Sequence, residues 1–525
     1  MTGPSLTVLH WLLAATPVAL VLVLMVFFRW GGARAGPAGW FAALLIGFLV
    51  FKGGAELVAY SQLEAVLLTL FVLYIIWMAL ILFQVVSIAG AIQVIGQGIV
   101  QLTPDSLLQL LILAWAFSAF LQGVAGFGVP VAVVAPLLIG LGFDPIIAVA
   151  CTAIGHSWSV TFGDIASSFN ALIAATGLSG SELAPWSGIF LGVACFGCGL
   201  AVAHAYGGWQ ALRRGSVAIL LIGGSMALTQ YLLAAKGLWN LAGFVAGMVG
   251  LLSSAALTRL PVYHHHNSRA SRGVAAEKEK AVTMNLWLAT LPYLLLIVLV
   301  AVAELWDPLH HLLNQVQVTV SFPEVSTDIG WVTPNRIGKR ISVFGHAGAL
   351  LAYTSVLAYI VYRATGHLKR SDLPNILGHT VRSAIPSSIG IVSMVAMALI
   401  MDRCGMTYIL AKGLSSIIGE VFPLASPFIG LLGAFMTGSN TNSNVIFAPL
   451  QKSTAELVGI SVWVILGTQT TGGALGSMIA PAKVIVGCST AGLAGQEGNV
   501  IRITLLYGLL ITAVIGIIAC LALAG

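Results

Sequence analysis

Charge is what this sequence lacks. Only 8% of its 525 residues are Asp, Glu, Lys or Arg, against about a quarter in an ordinary globular domain. A folded chain of this length must still present a large surface to its solvent. With 58% hydrophobic residues and a mean hydropathy of +1.00, that solvent is lipid, and a soluble enzyme is excluded. Strict apolar–polar alternation is also missing. The hydrophobic runs are continuous, which excludes a barrel and leaves helices, the other structure that pairs every backbone polar group within a bilayer. Catalytic signatures are absent too: there is no HExxH, no GxSxG and no pair of facing carboxylates. A GxxxxGK[ST] loop that would mark an ATP-driven pump is lacking as well. No basic stretch of the kind that addresses nucleic acid occurs. No basic residue precedes Arg29, so the first apolar run is read as a span rather than a cleaved leader. The six cysteines, Cys151, Cys195, Cys198, Cys404, Cys488 and Cys520, all lie in apolar stretches. Without a second pair or a histidine cluster they read as small buried hydrophobes, and no metal site or cofactor is expected.

What is there is a succession of long apolar runs. The clearest lie at 12–28, 63–86, 107–121, 188–205, 216–234, 238–257, 286–303, 342–362, 388–401 and 503–523. Runs broken by Gly and Pro fall at 38–60, 127–160, 406–436 and 445–495. At roughly 20 residues per crossing the chain makes about 12–14 crossings. Basic residues cluster after particular spans, at Arg29/Arg34, Arg213/Arg214, 259–280 and 363–370. By the positive-inside rule these ends are cytoplasmic, which puts the N-terminus outside. Arg336, Lys339 and Arg340 oppose that scheme. The polar segment 259–283, with His264–His266 and the charged run 277–280, reads as a cytoplasmic linker between an N-terminal transmembrane half (1–258) and a C-terminal half (284–525). A second polar segment, 305–340, reads as an external loop in which 316–322 forms a small strand.

The two halves echo one another. Ser118-Ala119-Phe120-Leu121-Gln122-Gly123 is matched by Gly433-Ala434-Phe435-Met436-Thr437-Gly438, and Ala135-Pro136-Leu137 by Ala448-Pro449-Leu450, at offsets of 315 and 313 residues. Gly163 falls opposite Gly476 at the same spacing. In each half an apolar helix runs into a Gly-rich break. Broken helices at corresponding positions of two halves point to a transporter's substrate site, because the break frees backbone N–H groups that a half-helix dipole helps to offer to an anion. Small residues also serve to bring membrane helices together, and for isolated glycines that is the simpler account. It does not cover Gly438-Ser439-Asn440-Thr441-Asn442-Ser443-Asn444, where dense amides and hydroxyls in an apolar region need partners. A second polar focus, Thr468-Gln469-Thr470-Thr471-Gly472-Gly473, occupies the place held by Gly155-His156-Ser157-Trp158-Ser159 in the first half. The four segments are expected to converge near the membrane midplane.

The runs Ala119-Phe120-Leu121-Gln122-Gly123-Val124-Ala125-Gly126-Phe127-Gly128-Val129-Pro130 and Leu432-Gly433-Ala434-Phe435-Met436-Thr437-Gly438-Ser439-Asn440-Thr441-Asn442-Ser443-Asn444, with Thr471-Gly472-Gly473 and Met478-Ile479-Ala480-Pro481, resemble those of the L-lactate permease family, which includes glycolate permeases. The hydrophobic pattern carries the resemblance over nearly the whole chain. The resemblance implies proton-coupled uptake of a small 2-hydroxymonocarboxylate: L-lactate, glycolate or D-lactate. Ser439-Asn440-Thr441 is also similar to the signature of dicarboxylate/sodium symporters, which by fold-level analogy implies inverted repeats, paired hairpins and sodium as the alternative coupling ion. The sequence departs from the family pattern at Gln122 and Asn440, where acidic residues are usual, and at Ser477, where a basic residue is expected. His156 and Asp164 stand where neutral residues are usual.

A carboxylate with a 2-hydroxyl needs donors and polar partners. The candidates are Ser439, Thr441, Ser443, Thr470 and Thr471 for hydroxyls and Asn440, Asn442 and Asn444 for amides. The backbone of Gly126, Phe127, Gly128, Gly472 and Gly473 supplies N–H groups, and Lys483 a positive charge, unless it is an interfacial lysine reaching for water. His156 and Asp164 are the candidate proton carriers, since an ionisable group within the membrane is by default functional; a hydrogen-bonded core histidine and a helix-end aspartate are the structural alternatives. A homodimer is compatible with the sequence.

Overall fold

The computed structural model describes residues 7–524 apart from 29, 101, 125, 127, 259–283, 339, 494 and 495. The linker read at 259–283, with its three histidines, therefore lies outside the described residues, as do Lys339 and Phe127.

The first half opens with α1 (Val8–Val26), α2 (Gly32–Leu49), the long α3 (Ala55–Ile88) and the short α4 (Ala91–Val100). There follows one continuous span, α5 (Ser106–Leu110), a π-helical stretch at Leu111–Phe117, and α6 (Ser118–Val124). Beyond a break come α7 (Val129–Gly140), α8 (Pro145–Ser157) and, after a second break, α9 (Gly163–Thr176). The half closes with α10 (Gly180–Ala235), bent where Gly207 and Gly208 leave helical geometry, and α11 (Trp239–Leu257). The second half holds α12 (Leu286–Leu305) and α13 (Asp307–Leu313), then a loop of six two-residue strands: β1 (Gln317–Val318), β2 (Ser321–Phe322), β3 (Val325–Ser326), β4 (Val332–Thr333), β5 (Arg336–Ile337) and β6 (Ile341–Ser342). They pair antiparallel as a nested ladder, β1 with β6, β2 with β5 and β3 with β4. Next come α14 (Ala347–Ala364), α15 (Leu373–Arg403), α16 (Met406–Ile418), α17 (Phe422–Thr437), α18 (Asn440–Val458), α19 (Val462–Gly476), α20 (Pro481–Thr490) and α21 (Glu497–Ala524). Among the described residues nine helical stretches are long and apolar enough to cross a membrane. The region 38–60 divides into the end of α2 and the start of α3. The run at 342–362 starts as a helix only at Ala347, because Ile341 and Ser342 belong to β6.

The repeat extends far beyond the short echoes in the sequence. Gly32 and Ala347 open α2 and α14, Ile88 and Arg403 close α3 and α15, and Ala91 and Met406 open α4 and α16; each pair lies 315 residues apart. The packing repeats as well. α2 lies on α15 as α14 lies on α3, α18 lies on α9 as α7 lies on α20, and α10 on α19 as α21 on α8. Small residues make the first two seams close. A Cβ on Gly36 would run into Ser393 Oγ, and one on Gly348 would meet the Tyr74 side chain at 2.7 Å. The repeats are inverted: α2 starts against Gly390 of α15 and runs toward Cys404, and α14 starts against Tyr74 of α3; since Trp77 meets Ser388, the two counterparts leave one level along antiparallel helices and so run in opposite directions.

The strand loop is clamped to the ends of α3 and α15. Glu64 accepts from Arg336 at 2.9 Å and from Arg403 at 2.7 Å, and Asp402 accepts from Arg336 at 3.0 Å. The Arg403 guanidinium lies 5.1 Å from the centre of the Phe322 ring. Asp402 and Arg403, adjacent in sequence, do not pair with each other, because neighbours on a helix point about 100° apart and each finds an opposite charge on another element. The network accounts for Arg336 among the three basic residues that oppose the charge rule, since two carboxylates face it.

Candidate functional site: a polar cleft between broken helices

The breaks in the two halves meet. α17 ends at Gly438, whose φ of 71° is left-handed and open to glycine, and α18 begins after Ser439 in an extended conformation. Thr437 Oγ1 donates to Ser439 O at 2.9 Å, and Ser439 Oγ accepts from Asn442 N. α17 and α18 thus form a hairpin with its tip inside the protein. The span Ser106–Val124 and α7 form the corresponding hairpin, with Gly126 and Gly128 between them. Beside the tips, α8 gives way to α9 and α19 to α20.

A cleft opens between these breaks. It is lined by Gln122 and Gly126 from the first hairpin, Val160, Asp164, Ser167 and Ser168 around the start of α9, Gly438, Ser439, Asn440 and Thr441 from the second hairpin, and Lys483 from α20. Among these lining residues Asp164 is the one acid and Lys483 the one base. Asp164, Ile165 and Ala166 all have left-handed backbone, with φ of 50°, 50° and 56°. This strained turn holds the Asp164 carboxyl toward the first hairpin, where Ser167 Oγ donates to it at 3.2 Å and the Gly126 N–H lies within its reach. Lys483 lies in the first turn of α20 with its stem along Gly128; a Cβ on Gly128 would sit 3.8 Å from Lys483 Cγ.

The second hairpin is fixed by a buried polar network. Asn440 Nδ2 donates to Thr161 Oγ1 at 3.0 Å and to Thr470 O at 3.3 Å. Asn444 Nδ2 donates to Thr470 Oγ1 at 2.9 Å and to Ser168 O at 3.0 Å. The Ser168 and Thr441 hydroxyls bond at 3.0 Å. Ser443 Oγ donates to Gly430 O at 2.8 Å and accepts from Gln469 Nε2 at 3.1 Å. The amide oxygens of Asn440 and Asn444 are buried and hold no partner among the described residues.

Of the residues singled out in the sequence, Gly126, Asp164, Ser439, Asn440, Thr441 and Lys483 line the cleft, with Gly128 behind Lys483. Ser443, Asn444 and Thr470 stand one layer back, in the network. Asn442 points elsewhere, its amide nitrogen 4.0 Å from a Cβ on Gly32 of α2, because it sits about 200° round α18 from Asn440. Thr471 donates to Gly467 O of its own helix at 2.8 Å. Gly472 and Gly473 lie within α19 rather than at a break. A Cβ on Gly472 would collide with Pro427 O, and one on Gly473 with Asn440 Oδ1. Their N–H groups lie inside a regular helix, and the two glycines let α17 and α18 approach. His156 is fully buried, with Nδ1 2.8 Å from Thr152 O and Nε2 unpartnered among the described residues, and does not line the cleft. Gln122, Thr161, Ser167 and Ser168 join the site without having been proposed as ligands. Thr161 and Ser168 flank the second break of the first half, and that position was their signal.

A wide vestibule of about 1300 Å³, counting its open mouth, lies between the strand loop with α3 and α15 on one side and α9 with α18 on the other. Arg340, Lys452 and Glu456 border it together with the Glu64–Arg336–Asp402 network.

Two inverted repeats whose helix breaks enclose one buried polar cleft are the architecture of a secondary membrane transporter. A family model described as L-lactate permease matches residues 10–524, and the chain belongs to that family. It is 29% identical to the L-lactate permease of Escherichia coli (strain K12) over 85% of this chain and 84% of the relative. It is 28% identical to that of Bacillus subtilis (strain 168) over 98% of both chains. The glycolate permease GlcA of Escherichia coli (strain K12) is 26% identical over 97% of this chain and 95% of its own. Among solved structures, the YdaH transporter of Alcanivorax borkumensis aligns over 97% of this chain and 98% of its own at 17% identity, with a TM-score of 0.48. The protein is a multi-pass protein of the cytoplasmic membrane.

Proposed function

We propose that this protein imports a 2-hydroxymonocarboxylate, L-lactate in the first place and glycolate or D-lactate with it, in symport with a proton. The observation that carries the reading is that one buried lysine and one buried aspartate line the same cleft, among neutral hydroxyl and amide donors. Lys483 and the Ser439 hydroxyl receive the carboxylate; Thr441 and Asn440 flank the 2-hydroxyl; Asp164 carries the proton. His156 is the weaker proton carrier because its ring is held by Thr152 away from the cleft. Relatives named L-lactate and glycolate permeases support the substrate class. The two halves, 1–258 and 284–525, joined by 259–283, are interleaved, and each supplies one hairpin and one broken helix pair to the cleft whose access alternates. The unpartnered amide oxygens of Asn440 and Asn444 favour one second reading, in which sodium is the coupling ion, since sodium prefers oxygen ligands.

The test is uptake of labelled L-lactate into proteoliposomes with an inward proton gradient and no sodium. Accumulation that collapses with a protonophore is the expected result. Accumulation that requires sodium instead moves the coupling to the asparagine oxygens, and a folded preparation that takes up no 2-hydroxymonocarboxylate overturns the substrate assignment.

A further inference from the structure

Asp164 and Lys483 come from different repeats and face one cleft. Asp164 stands in the left-handed turn that leads into α9, and Lys483 in the first turn of α20. Each half thus contributes one charged group at its second break, an acid from the first and a base from the second. Lys483 has no ion pair with any described residue, and Asp164 accepts only from Ser167 Oγ and the Gly126 N–H among the described residues.

We infer that the substrate carboxylate and Asp164 compete for Lys483, so that Asp164 takes up its proton when the substrate is in place. This rests on the proposed function and supplies its coupling rule. The rule follows from charge. In the empty cleft, ionised Asp164 and Lys483 sum to zero. A substrate anion alone would leave a net negative charge, and a proton alone a net positive one. Substrate and proton together restore zero. A net charge in a water-poor cleft is costly, so the carrier reorients either empty or with both. The proton comes from the water on the open side and leaves to water on the other, with no bond formed to the substrate.

Other ionisable groups do not disturb this count. The elements packed around α9 are α3, α6, α11, α18 and α19. α6, α11 and α19 contain no Asp, Glu, Lys, Arg or His. α3 begins with the exposed Glu56, and α3 and α18 keep Glu64, Lys452 and Glu456 at the vestibule. The elements packed around α20 are α7, α8 and α21. α7 carries no ionisable group, and Glu497 and Arg502 of α21 lie outside the cleft lining. From α8 comes His156, which is neutral in this scheme and tied to Thr152.

The experiment reads protons directly. Purified protein in weakly buffered solution near neutral pH, with a pH indicator, is mixed with L-lactate. The wild type should take up about one proton per substrate bound, because substrate and proton raise each other's affinity equally. D164N should bind L-lactate with no proton uptake. In proteoliposomes it should exchange internal for external lactate while losing accumulation driven by a proton gradient. K483Q should lose binding at least tenfold. Wild-type protein that binds L-lactate without taking up a proton overturns the inference, as does gradient-driven accumulation by D164N. Wild-type protein that neither binds nor exchanges any 2-hydroxymonocarboxylate defeats the functional reading itself, and the two failures are thereby distinct. The wild-type proton measurement stands whether or not either variant folds.

Discussion

Residues of one type do different work here, and the difference lies in what surrounds them. Arg403 is fully buried and leans on Glu64. Removing that carboxylate leaves an uncompensated charge at a cost of about 3–5 kcal/mol. Glu64→Gln should therefore lower the thermal midpoint of the detergent-solubilised protein sharply. Adding Arg403→Met should recover most of the loss, and a double variant no better than the single one would count against the pairing. A second contrast separates packing from binding. Gly472 faces Pro427 O and Thr441 faces the cleft. Gly472→Ala should destabilise by about 1–3 kcal/mol through overpacking, whereas Thr441→Val should weaken substrate binding, with a loss of midpoint limited to the Ser168 hydroxyl it leaves unpartnered. The sequence offered both as substrate ligands because both are small residues in a polar run. Burial against another helix is decided by tertiary packing, which no local pattern encodes. Asn442 was misjudged for the same reason: the run 438–444 reads as one polar stretch, but once its later residues coil into α18 they face two directions.

Helix breaks were the most legible elements. Gly438 and the Asn- and Ser-rich run behind it mark the tip of the second hairpin in the sequence itself, since glycine alone adopts that φ without strain. At the second break of the first half Gly163 marked the place, but the left-handed turn that follows it, at Asp164, Ile165 and Ala166, contains no glycine and was not legible. Left-handed backbone costs about 1–2 kcal/mol per L-residue, and such strain persists only where the surroundings hold it. Ala166→Gly should relieve part of it, offset by the extra freedom of glycine in the unfolded chain, for a net gain of about 0.5–1 kcal/mol. Ala166→Val should do the opposite. Thermal midpoints of the two variants check this, and a destabilised glycine variant beside an unaffected valine variant would mean that the turn is not left-handed. The short α16 was absorbed into the broken run 406–436 in the sequence, and α4 fell between the runs 63–86 and 107–121. They begin 315 residues apart, and that equivalence appears only once the flanking helices are in place.

At the scale of the whole molecule, inversion explains why two halves with so little sequence in common are built alike. The echoes at 118–123 and 433–438 cover a few residues, yet α2, α3 and α4 match α14, α15 and α16 in start or end at one constant offset. Sequence similarity fades because the repeats face opposite leaflets and different neighbours, while helix lengths are held by bilayer thickness. The inversion fixes the sides of the turns. The turn between α7 and α8, at 141–144, and the turn between α18 and α19, at 459–461, occupy equivalent positions and must open to opposite faces of the membrane. With Arg363 on the cytoplasmic face, as the positive-inside rule has it, α8 and α9 together run outward, so 141–144 is expected to be cytoplasmic and 459–461 external, on the side of the strand loop. Single cysteines at Gly142 and Gly459, in a chain whose six native cysteines are replaced, test this with a membrane-impermeant thiol reagent on intact cells. Cysteine at 459 should label from outside and cysteine at 142 only after the membrane is opened. Labelling of both from one side would rule out inverted repeats, and with them the two opposed approaches to the cleft that alternating access requires.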